Sequence, residues 1–430
     1  MRKFFLTVCM VAAAVAVSAQ SGTNSPYSQY GFGKLSDQST GFNRGMNGLA
    51  MGFRDGNQVN YLNPASYATA DSLTFIFDAG VAGQLTAFDE KGLKKNARNA
   101  NFEYAVAAFR ALPHLGVSFG VMPFSNVGYN YASTQEVGDA NNTTYTNTYS
   151  GSGGLHQAYL GFGWEPFKGF SIGVNGSYLW GDYDRSVVNS YSDAYVNTLS
   201  KYYSVDVANY KLDAGMQLSF KLGKKTSLTL GATYGYGHKI SADPSYEVIS
   251  RNSQTSVSDT TRFVVKDGLE LPTTFGVGFL VDYEKRIRFG ADFSLQKWAD
   301  TEFPVDVEKN NRPSYELQKG YFKDVKKITV GGEYCRNPQS RRFFSSMRFK
   351  AGASYTTPYL IINGADGPKE LGVSAGVSFP VINQWNNRSI LNLSGQWVHT
   401  SGQGMLTENT FRVTIGLTFN ERWFMKWKVE

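Results

Sequence analysis

The sequence predicts an all-β protein, a 14-stranded antiparallel transmembrane β-barrel with an N-terminal lumenal plug. Three observations lead there. Apolar and polar residues alternate strictly over many short segments, long and short connections alternate between those segments, and the chain opens on an export leader. Composition agrees. The 430 residues include 45 Gly, 26 Tyr and 30 Phe, with only 18% charged, which excludes a disordered chain. Two cysteines exclude a disulfide scaffold. The net charge of +7 comes from scattered basic residues, with no cluster of the kind that binds nucleic acid.

The leader comes first. Arg2 and Lys3 precede the apolar run Phe4–Val17, and Val17-Ser18-Ala19 is a small-residue cleavage site. Residues 1–19 are therefore read as a signal peptide. Cys9 leaves with it, so Cys335 has no intramolecular partner.

The mature chain has no apolar run of about 18 residues, so no membrane-spanning helix is expected. It has period two instead. Phe170, Ile172, Val174, Tyr178 and Trp180 alternate with Ser171, Gly173, Asn175 and Ser177; Leu228 to Tyr236, Ile287 to Leu295, Leu371 to Phe379 and Phe411 to Phe419 repeat the pattern. Such segments are strands with one apolar and one polar face. Fourteen begin near Ser72, Asn101, Leu115, Gln157, Gly169, Tyr202, Thr226, Leu271, Arg286, Asp324, Met347, Lys369, Ser389 and Asn409. Long polar connections are expected at 86–100, 132–153, 183–201, 238–260, 299–318 and 357–368. Short turns are expected near Pro113, at Glu165–Lys168, Gly223–Lys225, Glu284–Arg286 and Asn383–Asn387.

Long loops at one end and short turns at the other are the layout of a bacterial outer-membrane barrel. A soluble β-sandwich also buries one face of each strand. The leader, the aromatic load and the loop asymmetry argue against it. So do the charges on the polar parity: Asp78, Glu103, Lys211, Asp213, Arg288, Asp292, Glu333, Arg348, Lys350 and Arg412 suit a wet lumen. Trp164, Trp180, Trp298, Trp397 and Trp423 stand near segment ends, where interfacial belts form. Residues 72–430 are thus the barrel.

Residues 20–71 show no strand alternation. They are rich in Gly, Ser and Asn, yet carry Tyr27, Tyr30, Phe32, Leu35, Met46, Leu49, Met51 and Phe53. Such residues pack somewhere, and the nearest enclosed space is the lumen, so 20–71 is read as a plug. A glycine-rich segment ending in Asn63-Pro64-Ala65 and followed by fourteen strands resembles the FadL-type family of outer-membrane transporters of long-chain fatty acids and other hydrophobic compounds. The likeness spans the mature chain and marks a diverged branch. One departure is the ending, which runs on past Phe424 to Glu430 instead of stopping on an aromatic residue.

The resemblance implies an inward kink of the third strand that opens the wall toward the membrane. Gly120, Pro123, Phe124 and Gly128 are the candidates, because proline cannot donate to a strand ladder. Pro123 marking only the exit from the membrane is the equal alternative. Lys211, Arg288, Arg348, Lys350 and Arg412 are candidate cations for a substrate carboxylate, and pairing with lumenal acids and the plug is the favoured alternative. His114, His156, His238 and His399 lie at no metal-ligand spacing, so no metal, cofactor or enzymatic activity is expected. Gly231 to Gly237 is followed by no helix pattern and reads as small residues in a strand, not a phosphate loop.

The expected function is an outer-membrane channel for hydrophobic or amphipathic, fatty-acid-like molecules that pass the plug and leave through the wall or into the periplasm. The alternative is a non-transporting barrel subunit of a secretion or assembly machine, with protein partners at outer loops 132–153 and 238–260. A narrow hydrophobic pocket and a mid-strand kink favour the first. A filled lumen and large exposed aromatic outer faces favour the second. The plug disfavours a passive porin.

Overall fold

The computed structural model describes residues 22–137, 143–309, 312–340, 342–382 and 388–421. The leader and its cleavage site, the turn Asn383–Asn387, Trp423 and the ending Phe424–Glu430 lie outside these residues.

Fourteen strands form one antiparallel ring. They are β1 (Phe75–Glu90), β2 (Leu93–Leu112), β3 (Leu115–Glu136), β4 (Thr144–Phe167), β5 (Phe170–Tyr191), β6 (Thr198–Lys221), β7 (Thr226–Gly235), β8 (Thr273–Tyr283), β9 (Ile287–Lys297), β10 (Val325–Cys335), β11 (Arg348–Thr356), β12 (Lys369–Ile382), β13 (Arg388–Ser401) and β14 (Thr407–Glu421). Each pairs with the next, and β14 returns to β1 with Phe75 opposite Glu421 and Asp89 opposite Thr407. Closure pairs every strand on both sides over at least part of its length.

Period two sorts the side chains. Val81, Leu85, Phe119, Leu160, Val174, Phe289, Ile328 and Ile415 point outward and are exposed, as a lipid-facing wall requires. Asp78, Ser171, Gln217, Arg288, Thr329 and Thr418 point inward and are buried.

Twelve strands begin within a few residues of expectation. β2 begins at Leu93 instead of Asn101, and β4 at Thr144 instead of Gln157. The stretches 86–100, 132–153 and 183–201 are thus mostly strand, not loop. Beyond the bilayer both faces of a strand are wet, so alternation fades while the backbone ladder continues. Likewise 238–260 holds Ser245–Arg251, which pairs with the outer half of β6, and 299–318 folds as a hairpin of Phe303–Lys309 with Arg312–Gln318.

Trp164 and Trp397 stand exposed on the wall as expected. Trp298 does not. It follows the end of β9, where the chain has already bent over the outer mouth, and it is 1% exposed. Its ring packs at 5.4 Å on Phe32 and 5.1 Å on Tyr359, within an apolar cap that also holds Phe124, Leu155, Leu179 and Leu271.

Candidate functional site

Residues 22–71 touch the inward face of every strand of the ring. Gly22 O accepts from Gln84 of β1, Arg44 pairs with Glu103 of β2, and Ser36 N donates to Phe124 O of β3. Pro64 lies on Gly163 of β4 and Gly173 of β5, and Met51 O accepts from Gln217 of β6 and overlies Gly231 of β7. Gly52 lies on Leu280 of β8, and Asp292 of β9 accepts from the Ala50 and Met51 amides. Met46 lies on Gly331 of β10, Phe42 O accepts from Lys350 of β11, and Gly45 lies on Gly376 of β12. Asn47 accepts from Gln396 of β13, and Ser25 donates to Glu408 of β14. Only the lumen borders all fourteen strands.

The seat of the Asn63-Pro64-Ala65 motif is a row of glycines. Gly116, Gly163, Gly173 and Gly215 stand opposite one another across β3, β4, β5 and β6. Without Cβ atoms the wall admits the plug backbone to contact. A Cβ at Gly173 would stand 2.5 Å from the Pro64 oxygen and 2.6 Å from the Ala65 nitrogen. On this seat the short helix Pro64–Thr69 begins. Asn63 caps it, its side chain accepting from Ala65 N at 3.2 Å and donating to Met51 O at 2.9 Å, with Pro64 at the first helical position. Gly231 shares the inward parity and faces Met51 O, as its strand reading implies.

Buried charge fixes the rest. Arg44, fully buried, donates to Glu103 at 2.5 Å and pairs with Asp37 at 3.2 Å. Arg288 pairs with Asp55 at 2.6 Å and Glu333 at 3.1 Å. Burial alone would raise the carboxyl pKa values of Asp37 and Asp55. Arg44 and Lys327 beside Asp37, and Arg288, Arg348 and Lys285 beside Asp55, outweigh it and hold both well below the usual carboxylate range. A depressed folded pKa adds stability at every pH above the unfolded value, about 4, and that stability is lost only as pH falls below it. The contribution of these two acids to plug attachment is therefore expected to be constant from pH 8 to 5 and to fall away below about pH 4. Hydrogen exchange of the amides of residues 37–55, corrected for the intrinsic rate at each pH and compared with an Asp37→Asn, Asp55→Asn variant, checks this; a difference between the two chains that changes from pH 8 to 5 would refute it.

The third strand carries a second feature. β2 and β3 pair from Leu112 opposite Leu115 only as far as Ala105 opposite Val121. Beyond that, β2 pairs only with β1, and β3 only with β4 and the plug. Pro123 lies at the parting, where the β3–β4 register shifts between Pro123 and Ser125. Residues 22–36 lie between the two strands. Lys34 and Leu35 pair with Asn126 and Ser125 of β3, and Ser28 Oγ bonds Gly128 N at 3.1 Å. On the other side Asn24 Nδ2 donates to Asn99 Oδ1 at 2.6 Å, and Asn101 Nδ2 to Gly22 O at 2.8 Å. Gly120 pairs normally with Val106 and Tyr159, while the Phe124 ring enters the apolar cap.

Cavities among the described residues beside this segment include two of about 240 and 220 Å³. The first meets Leu35, Tyr61, Phe124 and Trp298, but also Lys211, Asp213, Asp292 and Lys327. The second meets Lys34, Asp37, Glu103, Lys327, Glu370 and Arg412. A hydrophobic ligand selects a mostly apolar chamber with few polar groups; the first cavity is more apolar than polar but has charged groups in its wall, and the second is evenly mixed. Of the five lumenal cations, Lys211 pairs with Asp213, Arg288 with Asp55 and Glu333, and Arg348 with Glu333. Lys350 donates to Phe42 O, and Arg412 to the amide oxygens of Gln84 and Gln396. The plug partners Arg44, Asp37 and Asp55 were not legible as a site, although a charge between Phe42 and Met46 in a buried apolar stretch was the available signal. Among the described residues no group of three or more His, Cys, Asp or Glu side chains is placed to hold a metal.

A closed ring with a lipid-facing wall and an occupied lumen defines a transmembrane barrel of the outer-membrane type. A family model described as BamG matches residues 1–430, and the chain belongs to that family. No curated protein matches. Among solved structures, the CymD monoaromatic hydrocarbon channel is similar at TM-score 0.59 and 11% identity, over 92% of this chain and 100% of that one. The Pseudomonas putida toluene transporter TodX is similar at TM-score 0.60 and 15% identity, over 92% and 100%. A Pseudomonas aeruginosa FadL homologue is similar at TM-score 0.57 and 11% identity, over 89% and 97%. At these identities the likeness shows the fold, which is FadL-type.

Proposed function

We propose that this chain is a non-transporting barrel subunit of an outer-membrane secretion or assembly machine, with residues 20–71 as a structural plug. One observation carries the reading. The lumen is filled by a segment in contact with all fourteen strands, and both cavities described beside it carry charged groups in their walls. A barrel so filled does its work on its outer surfaces and beyond the bilayer, where β4 to β6 extend as a wide sheet with Tyr191, Tyr195 and Tyr202 exposed.

A second reading rests on the parting of β2 from β3 at Pro123. There a hydrophobic or amphipathic molecule, fatty-acid-like in class, leaves laterally once residues 22–36 move aside. The printed functions of the similar hydrocarbon channels support this reading by analogy of fold only.

One strain separates the two. Asn24→Cys with Asn99→Cys, in a Cys335→Ala background, staples the plug strip to β2 by a disulfide. The subunit reading expects the stapled chain to restore the outer-membrane proteome of a deletion strain fully. A stapled chain that restores that proteome only after reduction, or a deletion that abolishes uptake of labelled oleate or toluene while leaving the proteome unchanged, overturns it in favour of the channel.

A further inference from the structure

We propose that the short helix Phe343–Ser346, in the turn between β10 and β11, is an in-plane membrane anchor that sets Phe343 and Phe344 into the phospholipid interface on the short-turn side of the barrel. The other described turns at this end are brief. β2 meets β3 across Pro113 and His114, β4 meets β5 across Lys168 and Gly169, and β8 meets β9 across Glu284–Arg286. The β10–β11 turn is much longer and carries a short helix, Phe343–Ser346.

Its bonds hold it in place. Asn337 N donates to Ser345 O at 2.8 Å, Ser345 N to Arg342 O at 3.1 Å, and the buried Cys335 thiol contacts Ser346 O at 3.6 Å. So held, the helix lies on the outside of the barrel. Phe343 stacks on Phe379 with ring centroids 5.9 Å apart and planes 12° apart. Phe379 belongs to the lipid-facing parity of β12, since Ser378 beside it points into the lumen at 1% exposed and Val381, two residues on, is 51% exposed. Phe344 meets Phe343 edge-on at 5.4 Å and is 82% exposed.

The apolar wall therefore runs on without a break from Val381 through Phe379 and Phe343 to Phe344. A surface continuous with a lipid-facing wall has the same occupant as that wall. Arg342 is exposed one residue before the pair, and Arg336 at the start of the turn. Neither makes an ion pair among the described residues. An apolar pair flanked by free cations fits a layer of acyl chains beneath phosphates. The inference is independent of whether the barrel transports anything.

Nitroxide labels on the full-length chain in phosphatidylethanolamine and phosphatidylglycerol vesicles test it. Labels are placed singly at Phe344→Cys, Val381→Cys and Gln339→Cys in a Cys335→Ala background. The anchor predicts that oxygen relaxes the label at 344 several-fold more than nickel-EDDA does, as at 381, with the reverse at 339. Nickel-EDDA dominating at 344 places the ring in water and overturns the proposal. Should Cys335→Ala lose the compact barrel band on unheated gels, the same three labels are read with the buried native Cys335 retained.

Discussion

Planar bilayers holding the Arg44→Leu variant will conduct in large steps where the unaltered barrel stays closed. Arg44 is buried and answers two carboxylates, Asp37 of the plug and Glu103 of β2. Its side chain also donates to the backbone oxygens of Asp37 and Ser39. Leucine fills the space, leaves Glu103 buried without its cation, and leaves Asp37 with Lys327 as its nearest remaining cation. Breaking a buried pair from one side costs about 3–5 kcal/mol. At about 1.4 kcal/mol per factor of ten, the undocked plug gains roughly two to three and a half orders of magnitude in population. A fourteen-strand ring without its filling is wide enough to pass ions. The double variant Arg44→Leu, Glu103→Leu removes the wall's orphaned acid and is expected to recover part of the closure. A closed single variant would mean that the plug does not depend on this pair.

Gly173→Val is the second large effect. The new side chain grows toward the backbone of Pro64 and Ala65, and backbone does not step aside as a flexible side chain does. Overpacking a core costs about 1–3 kcal/mol when side chains can shift. Here the helix seated on the glycine row must lift as a unit. The expected result is an intact barrel on unheated gels, with trypsin now cutting at Arg54. Gly176→Val supplies the control. It lies on the same strand but faces lipid, and a Cβ there meets nothing nearer than Leu212 Cδ2 at 3.9 Å. Equal trypsin sensitivity in both variants would show that the row is not a seat.

The ring was legible because lipid on one side and a polar lumen on the other impose period two on each strand. Ile287 to Leu295 display it without exception. Where lipid ends, the constraint ends, so Leu93–Ala100 and Thr144–His156 read as loop although they pair as strand. Trp298 was misplaced because its position one residue beyond β9 says nothing about which way the chain bends. Asn63-Pro64-Ala65 stood out only through its likeness to the FadL-type pattern; that Asn63 caps a helix with Pro64 in its first turn is visible only in the structure. Arg44 with Glu103, and Arg288 with Asp55, join residues far apart in sequence, and nothing local fixes such pairings. The row of Gly116, Gly163, Gly173 and Gly215 was visible only as glycines on the lumenal parity. Their alignment depends on the registers of four strands at once.

The plug that touches every strand also constrains the order of events in time. A segment in contact with every strand is expected to be in place before the tube it fills has closed. It is made first, and the sheet must curl around it. The seam is the last thing to shut, because β1 and β14 are the pair most distant in sequence and so the slowest to meet. The plug holds both lips of that seam, through Gly22 on Gln84 of β1 and Ser25 on Glu408 of β14. It thus serves as a former that measures the girth of the ring. A sheet one strand longer would leave part of that former without a wall to bond.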